Sequence, residues 1–458
     1  MFGRDSYLRK RLSTSGNQHA LFCLEKTGIC RKSLNRISMF SRDSYLRKCL
    51  SAIGNGEIKV LTGILGCGKS TLLELLRSSL LGQGISRDQI ILLPLDRPGN
   101  AMYRNPIELS RLVHERFQKT GGRHFVLIDE IRYCESVRNP YLPDGEKVTF
   151  ADTLNGFLHM PQTEVFVTCS GPDMLPLNLP TSLRGRCCHI PVEPLSLREY
   201  SEARGADPEY SLMEYLLYGG LPGIAACSSP EEKRSFLREH LGKICRMAVR
   251  DSCLRDSMLL QDIISGIASA GSAPLSAAGL AGLLLRERGR RTNGNTVGSY
   301  LRALQDSLLI RRSARYDIRG RRQVGSPFSY FFADTGLLCA ASGFAAPQYG
   351  RLIETAVYCE LIRRGYEVSA GILYDRKDSP YETGLAVRHI DEQAYITVRC
   401  GTDQENGSGR KMALLSKIPD SFPKIVIERD VFRSYEDELG IRHISPEDFL
   451  MDERSEFS

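Results

Sequence analysis

The chain has 458 residues, 42% of them apolar and 25% charged, and a net charge of +7. That length accommodates two to four domains, and the composition excludes a disordered polar polymer. No apolar run of about 18 residues occurs, which excludes a membrane-spanning helix, and the basic opening segment lacks the apolar core of an export signal.

Fourteen cysteines are scattered along the chain with no CxxC pair, and only Cys187 and Cys188 are adjacent. Dispersed thiols in so long a chain point to a reducing cytoplasmic setting rather than to structural zinc or disulfides. Positive charge is segregated: residues 1–50 hold eleven Arg and Lys against three acids, and residues 285–325 hold eleven against three. Such stretches serve either nucleic acid or an ordinary solvated surface.

In chain order, the first feature is a duplication. "MFGRDSYLRK" at 1–10 returns as "MFSRDSYLRK" at 39–48. Two copies are too few for a solenoid. Only the second runs into the strand that follows, so the second belongs to the fold, and residues 1–38 are either an N-terminal extension or the result of a translation start placed too early.

Next, "IKVLT" at 58–62 predicts a buried strand, and "GILGCGKS" at 63–70 satisfies GxxxxGK[ST] through Gly63, Gly68, Lys69 and Ser70. A Leu-striped helix follows from "TLLELLRSSLL". Strand, glycine loop and helix is the context that a phosphate cradle requires. Main-chain amides of residues 66–71, thus Gly66, Cys67 and Thr71 among them, would face phosphate oxygens at the helix start. Lys69 would reach the β and γ phosphates of ATP, and the Ser70 hydroxyl would ligate Mg²⁺.

"IILLPLD" at 90–96 predicts a second strand, and "HFVLIDE" at 124–130 a third that delivers Asp129 and Glu130 to its carboxyl edge. Open α/β sheets place their sites at that edge. Asp129 would hold the metal from the far side, and Glu130 would polarise water, a division of labour that favours hydrolysis over kinase chemistry. "EVFVTCS" at 164–170 predicts a fourth strand whose polar end, Thr168 and Ser170, either contacts the γ phosphate and its water or simply ends the strand. In "SLRGRC" either Arg184 or Arg186 is a candidate arginine finger, and either is equally an ordinary surface arginine.

Beyond "LSLREY" at 195–200 the chain reads as helical to residue 265, consistent with a small lid, and the Gly, Ser and Ala-rich passage 266–282 reads as a hinge. From Leu275 to Ile310 a helix, a glycine-bearing turn and a second helix from Thr296 precede "RRSARYDIRGRR", a basic hairpin. Helix, turn, helix and basic wing describe a winged-helix module. Its second helix offers only Arg302 as a cation, so gripping duplex DNA and binding a protein both remain open. Residues 352–400 predict an amphipathic helix entering strands. "GTDQENGSGRK" at 401–411 predicts a polar loop, and residues 451–458 an acidic tail.

The stretches "LTGILGCGKSTLL", "FVLIDEI", "VFVTCSGPDMLP", "LRGRC", "PLSLREY", "YLLYGGLPG", "YFFADTGL" and "ETAVYCELIRRGYEV" stand in this order. Together they resemble the bacterial and archaeal AAA+-like ATPases in which an AAA_14-type ATPase domain precedes a DUF4143-type region. The resemblance matches the Walker A residues to Gly63, Gly68, Lys69 and Ser70, the Walker B acids to Asp129 and Glu130, the sensor position to Ser170 and a conserved arginine to Arg186. The loop departs from the common Arg-Arg-Cys-Gly, reading Leu65, Gly66, Cys67 and Gly68, which removes two charges and no main-chain donor. It further implies a restriction-endonuclease-like core in the C-terminal part, with Glu354 and Glu360 as helix acids. There the usual metal-binding Asp is replaced by Gly384 in "ETGL" after Glu382, and Thr397 stands where Gln is common. A nuclease assembles its metal from clustered carboxylates, so nuclease activity is not expected.

The expected fold is therefore α/β: a P-loop ATPase domain at 39–195 with a parallel sheet, a helical lid at 196–270, a winged helix at 271–330 and a degenerate endonuclease-like domain at 331–450. The expected function is Mg²⁺-dependent ATP hydrolysis by a cytoplasmic protein, with Lys69, Glu130, Ser170 and Arg186 as the catalytic set. Partners in view are duplex DNA, another protein or further copies of this chain. The alternatives are a DNA-binding factor gated by nucleotide with little turnover, and a protein-binding adaptor of a defence or toxin system.

Overall fold

The computed structural model describes residues 42–140, 145–171, 179–271, 273–345, 348–374, 380–390, 392–399 and 413–452. The first copy of the duplication, the polar loop 401–411 and the tail from residue 453 lie outside the described residues. The chain divides into two units, one of residues 1–63 and 68–192, the other of residues 64–67 and 193–458.

The first unit is built on five parallel strands: β1 (Ile58–Thr62), β2 (Ile90–Pro94), β3 (His124–Asp129), β4 (Thr163–Cys169) and β5 (Cys187–Pro191), in the order β2-β3-β4-β1-β5. Every residue of β1 and of β3 is buried, as expected of inner strands in a parallel sheet, which have both faces covered and read as continuous apolar runs. The helices of this unit are α1 (Asp43–Ser51), α2 (Lys69–Gly82), α3 (Pro106–Phe117) and α4 (Phe150–Leu158). Their starts are fixed locally. Asn105 caps α3 by accepting from the Ile107 amide at 2.9 Å, and Thr149 with Asp152 forms a capping box at α4. Leu109, Val113, Phe117, Leu154 and Phe157 then bury against Val126, Ile128, Val165 and Val167.

The second copy of the duplicated segment is part of this unit. Its Tyr45 is buried in α1 with the Arg42 guanidinium 4.5 Å above the ring. Sequence periodicity gave no sign of an ion pair inside the sheet, yet Lys59 on β1 is bonded to Glu164 on β4, and both are buried. Glu164 also accepts from the Gly54 amide at 2.9 Å, so the pair is hydrogen-bonded as well as charge-matched, which burial demands.

The second unit opens with helices α5 (Leu197–Arg204), α6 (Pro208–Tyr218), α7 (Pro230–Asp251), α8 (Ser257–Ala270), α9 (Ala277–Arg288) and α10 (Gly294–Asp306). The expected hinge at 266–282 is mostly helix, divided between α8 and α9. Its small residues serve close packing: a Cβ on Gly266 would lie 2.9 Å from Leu280 Cδ1, and Ala268 and Ala281 are buried. Composition alone reads Gly, Ala and Ser as flexible. Between two helices the same residues remove bulk.

Strands β6 (Ile310–Asp317), β7 (Arg322–Phe332), β8 (Glu367–Tyr374), β9 (Pro380–His389), β10 (Glu392–Arg399), β11 (Lys424–Glu428), β12 (Tyr435–Glu436) and β13 (Ile441–Ile444) form one mixed sheet, ordered β12-β13-β11-β10-β9-β8-β6-β7. The basic hairpin is β6–β7, and it is continuous with this sheet because β6 pairs in parallel with β8. Helices α11 (Thr335–Ala341), α12 (Tyr349–Arg363) and α13 (Pro446–Met451) also belong to this unit.

Two glycine-bearing stretches far apart in sequence meet here. The buried Asp334 carboxylate accepts from the Gly220 amide at 2.7 Å and the Leu337 amide at 3.0 Å. Any Cβ on Gly219 would sit 2.1 Å from its Oδ1, and one on Gly336 would sit 2.1 Å from the Tyr218 carbonyl oxygen. "YGGLPG" and "ADTGL" are thus two halves of one contact, and only glycine fits its crowded positions. Among the described residues no helix is long and apolar enough to cross a membrane.

Candidate nucleotide site

The loop 63–70 leaves the carboxyl end of β1 and enters α2. Gly66 has φ +75° and Gly68 φ +105°. This is the left-handed region where residues with a Cβ are strained, so these two glycines make the turn possible. The Lys69 ammonium is buried and curls back to donate to the Gly63 carbonyl at 2.8 Å. One expected donor is otherwise engaged: the Cys67 amide closes a turn onto the Ile64 carbonyl at 3.2 Å. Ser70 is exposed and Thr71 half-buried at the first turn of α2, where helix amides and dipole favour an anion.

β3 brings Asp129 to the same edge. Its carboxylate is buried and takes the Thr168 hydroxyl at 2.5 Å, and the Ser70 hydroxyl is a neighbour that favours its charged form. Burial raises the Asp129 pKa above the ordinary carboxylate range. The Thr168 and Ser70 hydroxyls oppose that rise, the neighbouring Glu130 adds to it, and the Lys69 charge opposes it. A buried acid facing a hydroxyl and an ammonium across a glycine loop is one that a divalent cation would relieve. One hydroxyl and one carboxylate, with water and phosphate oxygens completing the sphere, is a donor set that suits Mg²⁺.

Glu130 follows with φ +55°, a strained conformation for a residue with a side chain and one that collects at functional sites. Its amide donates to Thr168 Oγ1 at 2.8 Å. Its carboxylate accepts from the Ser170 hydroxyl and, at 3.3 Å, from the Ser170 amide. The end of β4 therefore holds both acids, Thr168 on Asp129 and Ser170 on Glu130. Strand-end polarity hinted at these residues, but which acid each one serves emerges only from the β3–β4 register. Arg132 was not anticipated. It stands two residues after Glu130, against Gly171, where a Cβ would lie 3.5 Å from its Nη1. A cation so soon after the paired acids in "DEIR" is the signal that could have found it.

Arg186 does not join this cluster. Its carbonyl accepts from the Ile58 amide at 2.9 Å, and Cys187 is level with Ile58, so it lies where β1 begins, whereas the glycine loop follows where β1 ends. The four steps from Ile58 to Thr62 span about 13 Å. Its exposed guanidinium donates to Asn155 Oδ1 at 3.1 Å. Arg184 is likewise exposed and donates to the Leu179 carbonyl at 3.3 Å. The Arg186 side chain cannot complete its own chain's nucleotide site.

The acids of the second unit stand differently. Glu360 is buried between Arg363 at 2.9 Å and Arg364 at 3.0 Å. Glu354 and Glu382 are half-buried. Gly384 has φ +116°, and a Cβ there would be 2.3 Å from the Ile396 carbonyl oxygen and 2.5 Å from Thr397 Oγ1. The Thr397 hydroxyl donates to the Thr383 carbonyl. Among the described residues no group of three or more His, Cys, Asp or Glu is arranged to hold a metal.

Residues 55–201 match the AAA_14 family model, an AAA domain, and residues 209–348 match a domain of unknown function, DUF8612. The DUF4143 label expected for the C-terminal region is therefore not the one that matches. An uncharacterized protein of Haemophilus influenzae is 27% identical over 399 residues, 86% of this chain and 94% of that protein. An uncharacterized protein of Methanocaldococcus jannaschii is 23% identical over 236 residues, 49% of this chain and 52% of that protein. Similar solved structures include the Aeropyrum pernix ORC2 protein in ADPNP–ADP complexes, at 13% identity, 70% of this chain, 92% of that chain and TM-score 0.33. AMPPCP-bound DnaA from Aquifex aeolicus, at 14% identity, covers 58% of this chain and 88% of that chain with TM-score 0.31. Structural likenesses this distant bear no weight on function.

Proposed function

We propose that the region 55–201, which matches an AAA domain, binds ATP with Mg²⁺ and hydrolyses it to ADP and phosphate. The observation that carries the reading is the division of two adjacent acids. Asp129 faces Ser70 and Lys69 across the glycine loop, while Glu130 is held separately by Ser170.

In this reading the loop amides and Lys69 surround the terminal phosphates, and Ser70 and Asp129 are the residues that would hold Mg²⁺. Bound there, Mg²⁺ would neutralise charge that develops on the transferring phosphoryl group. Glu130 takes a proton from the attacking water. Ser170 is a positioning residue: it fixes the Glu130 carboxylate and must share it with water during turnover. Arg186 acts only as a finger from a neighbouring copy, which makes assembly part of the proposal.

For the second unit we read residues 196–270 as a helical lid, 271–330 as a winged helix and 331–450 as an endonuclease-like layer without nuclease activity. Gly384 supports the last point, because its surroundings leave no room for the carboxylate a metal would need. Replacing Lys69 with Ala and measuring phosphate release tests the whole reading. Turnover should fall about 10²-fold or more, and undiminished turnover would refute it.

A further inference from the structure

Eleven arginines stand between residues 285 and 325 against three acids, Glu287, Asp306 and Asp317, and the nucleotide chemistry uses none of them. Several are committed inside the second unit. Arg288 and Arg290 pair with Asp262, Arg290 also with Asp256, and Arg311 pairs with Glu193. Arg315 donates to the Gly325 and Ser326 carbonyls, and Arg312 covers the Phe328 ring at 4.4 Å. Arg322 lies 3.7 Å from Asp317 with its side chain largely exposed. The remainder, Arg286, Arg291, Arg302, Arg319 and Arg321, are exposed and in no ion pair among the described residues.

These bare cations sit on a defined scaffold. α10 buries Val297, Tyr300, Leu301 and Leu304. Its opposite side carries Asn295, Ser299 and Arg302, which are exposed and spaced i, i+4, i+7, so they share one face. Gly298 lies among them with open space where a Cβ would be, which permits close approach to the helix backbone. The β6–β7 hairpin follows directly, its turn formed by Arg319, Gly320 and Arg321. The base of that hairpin is tied back to the segment before α9, since Leu275 and Phe328 exchange amide hydrogen bonds at 2.7 and 3.1 Å.

We propose that this face is a docking surface for duplex DNA, with α10 entering the major groove and the hairpin arginines gripping the flanking phosphates. An α-helix fits the width of that groove, and amide and guanidinium groups are the side chains that read adenine and guanine edges there. Arginines at a hairpin turn carry no sequence information and set position and salt dependence. The side chains on this face favour a duplex over a single strand. Single-strand grooves depend on exposed aromatics for stacking, and among the described residues the exposed large aromatics, Tyr210, Phe432 and Tyr435, all lie outside α10 and the hairpin. The proposal rests on the second unit alone and does not require the ATPase reading.

The test uses the full chain, a fluorescent random-sequence 30-base-pair duplex and anisotropy from about 50 to 300 mM salt. Affinity should fall steeply with salt. The double variant R319A/R321A should bind roughly tenfold more weakly at the low-salt end, with a salt slope shallower by about two. N295A and R302A should leave random-duplex affinity nearly unchanged yet alter the sequences enriched from a randomised duplex pool. Salt-independent association, a hairpin variant that binds as tightly as the parent, or equal affinity for the single strand would overturn the proposal. Lys69→Ala should retain duplex binding. If that variant kept full ATP turnover instead, the nucleotide reading would fall and this one would stand.

Discussion

Both sheets hold acids in or beside buried strands, and they use them in opposite ways. At the end of β3, Asp129 is held by the Thr168 hydroxyl and Glu130 by the hydroxyl and amide of Ser170, both from the end of β4, and among the described residues neither acid is paired with an arginine. In the second unit Glu360 is locked between two arginines, Asp334 is spent on backbone amides, and Gly384 leaves a void in charge that the surrounding backbone has closed. A carboxylate can hold a metal or move a proton only if some of its lone pairs are uncommitted. The first sheet preserves that condition, and the second turns its acids into scaffolding.

Glu130→Gln is the sharpest way to break the contrast. It keeps the shape and the Ser170 contact but removes the base, so steady-state turnover should drop about 10³-fold, ~4 kcal/mol in barrier, while ATP binding persists. Retained turnover would put Glu130 on the scaffolding side. The reverse experiment, Gly384→Asp, restores the missing acid to the second sheet. With a Cβ forced to within 2.3 Å of the Ile396 carbonyl at φ +116°, the variant should lose about 3 kcal/mol of stability in urea and gain no Mg²⁺-dependent cleavage of DNA. A stable variant that cut DNA would erase the distinction.

Asp334 gives a pH signature. Burial pushes its pKa up to about 6 from 3.8, against the three backbone amides that favour the anion. The unfolded chain therefore releases this proton first, and folding stability contributed by Asp334 falls as pH rises from about 4 to 6, by roughly 3 kcal/mol. In Asp334→Asn that component should vanish from the stability–pH profile measured by denaturant unfolding. The smallest effect belongs to Arg186→Ala. Dilute chain should turn over unchanged, and a loss should appear only at concentrations where the parent rate rises with protein concentration.

How much of this was legible in the sequence depended on how local the cause was. That the glycine loop, Lys69, Ser70 and the two acids meet at one sheet edge could be read because the loop motif and the acids each follow an apolar strand at fixed spacing. β1 and β3 were legible for the same reason that they are buried: both faces are covered, so both are apolar. The end of β5 at which Arg186 stands was not legible, because proximity in sequence to the β4 terminus says nothing about it. The 266–282 passage was misread because small residues look alike in a linker and between helices. Lys59 with Glu164, and Arg132 against Gly171, needed the partner strand or loop to be known before either had meaning.

The contact between Asp334 and Gly220 spans 114 residues. During synthesis at about 5–20 residues per second, the amide of Gly220 waits several seconds or more for its acceptor to be translated, whereas every strand of the first sheet is complete by Pro191. The order of manufacture thus favours a first sheet that closes early, followed by helices that stay provisional until the ribosome has delivered one particular aspartate.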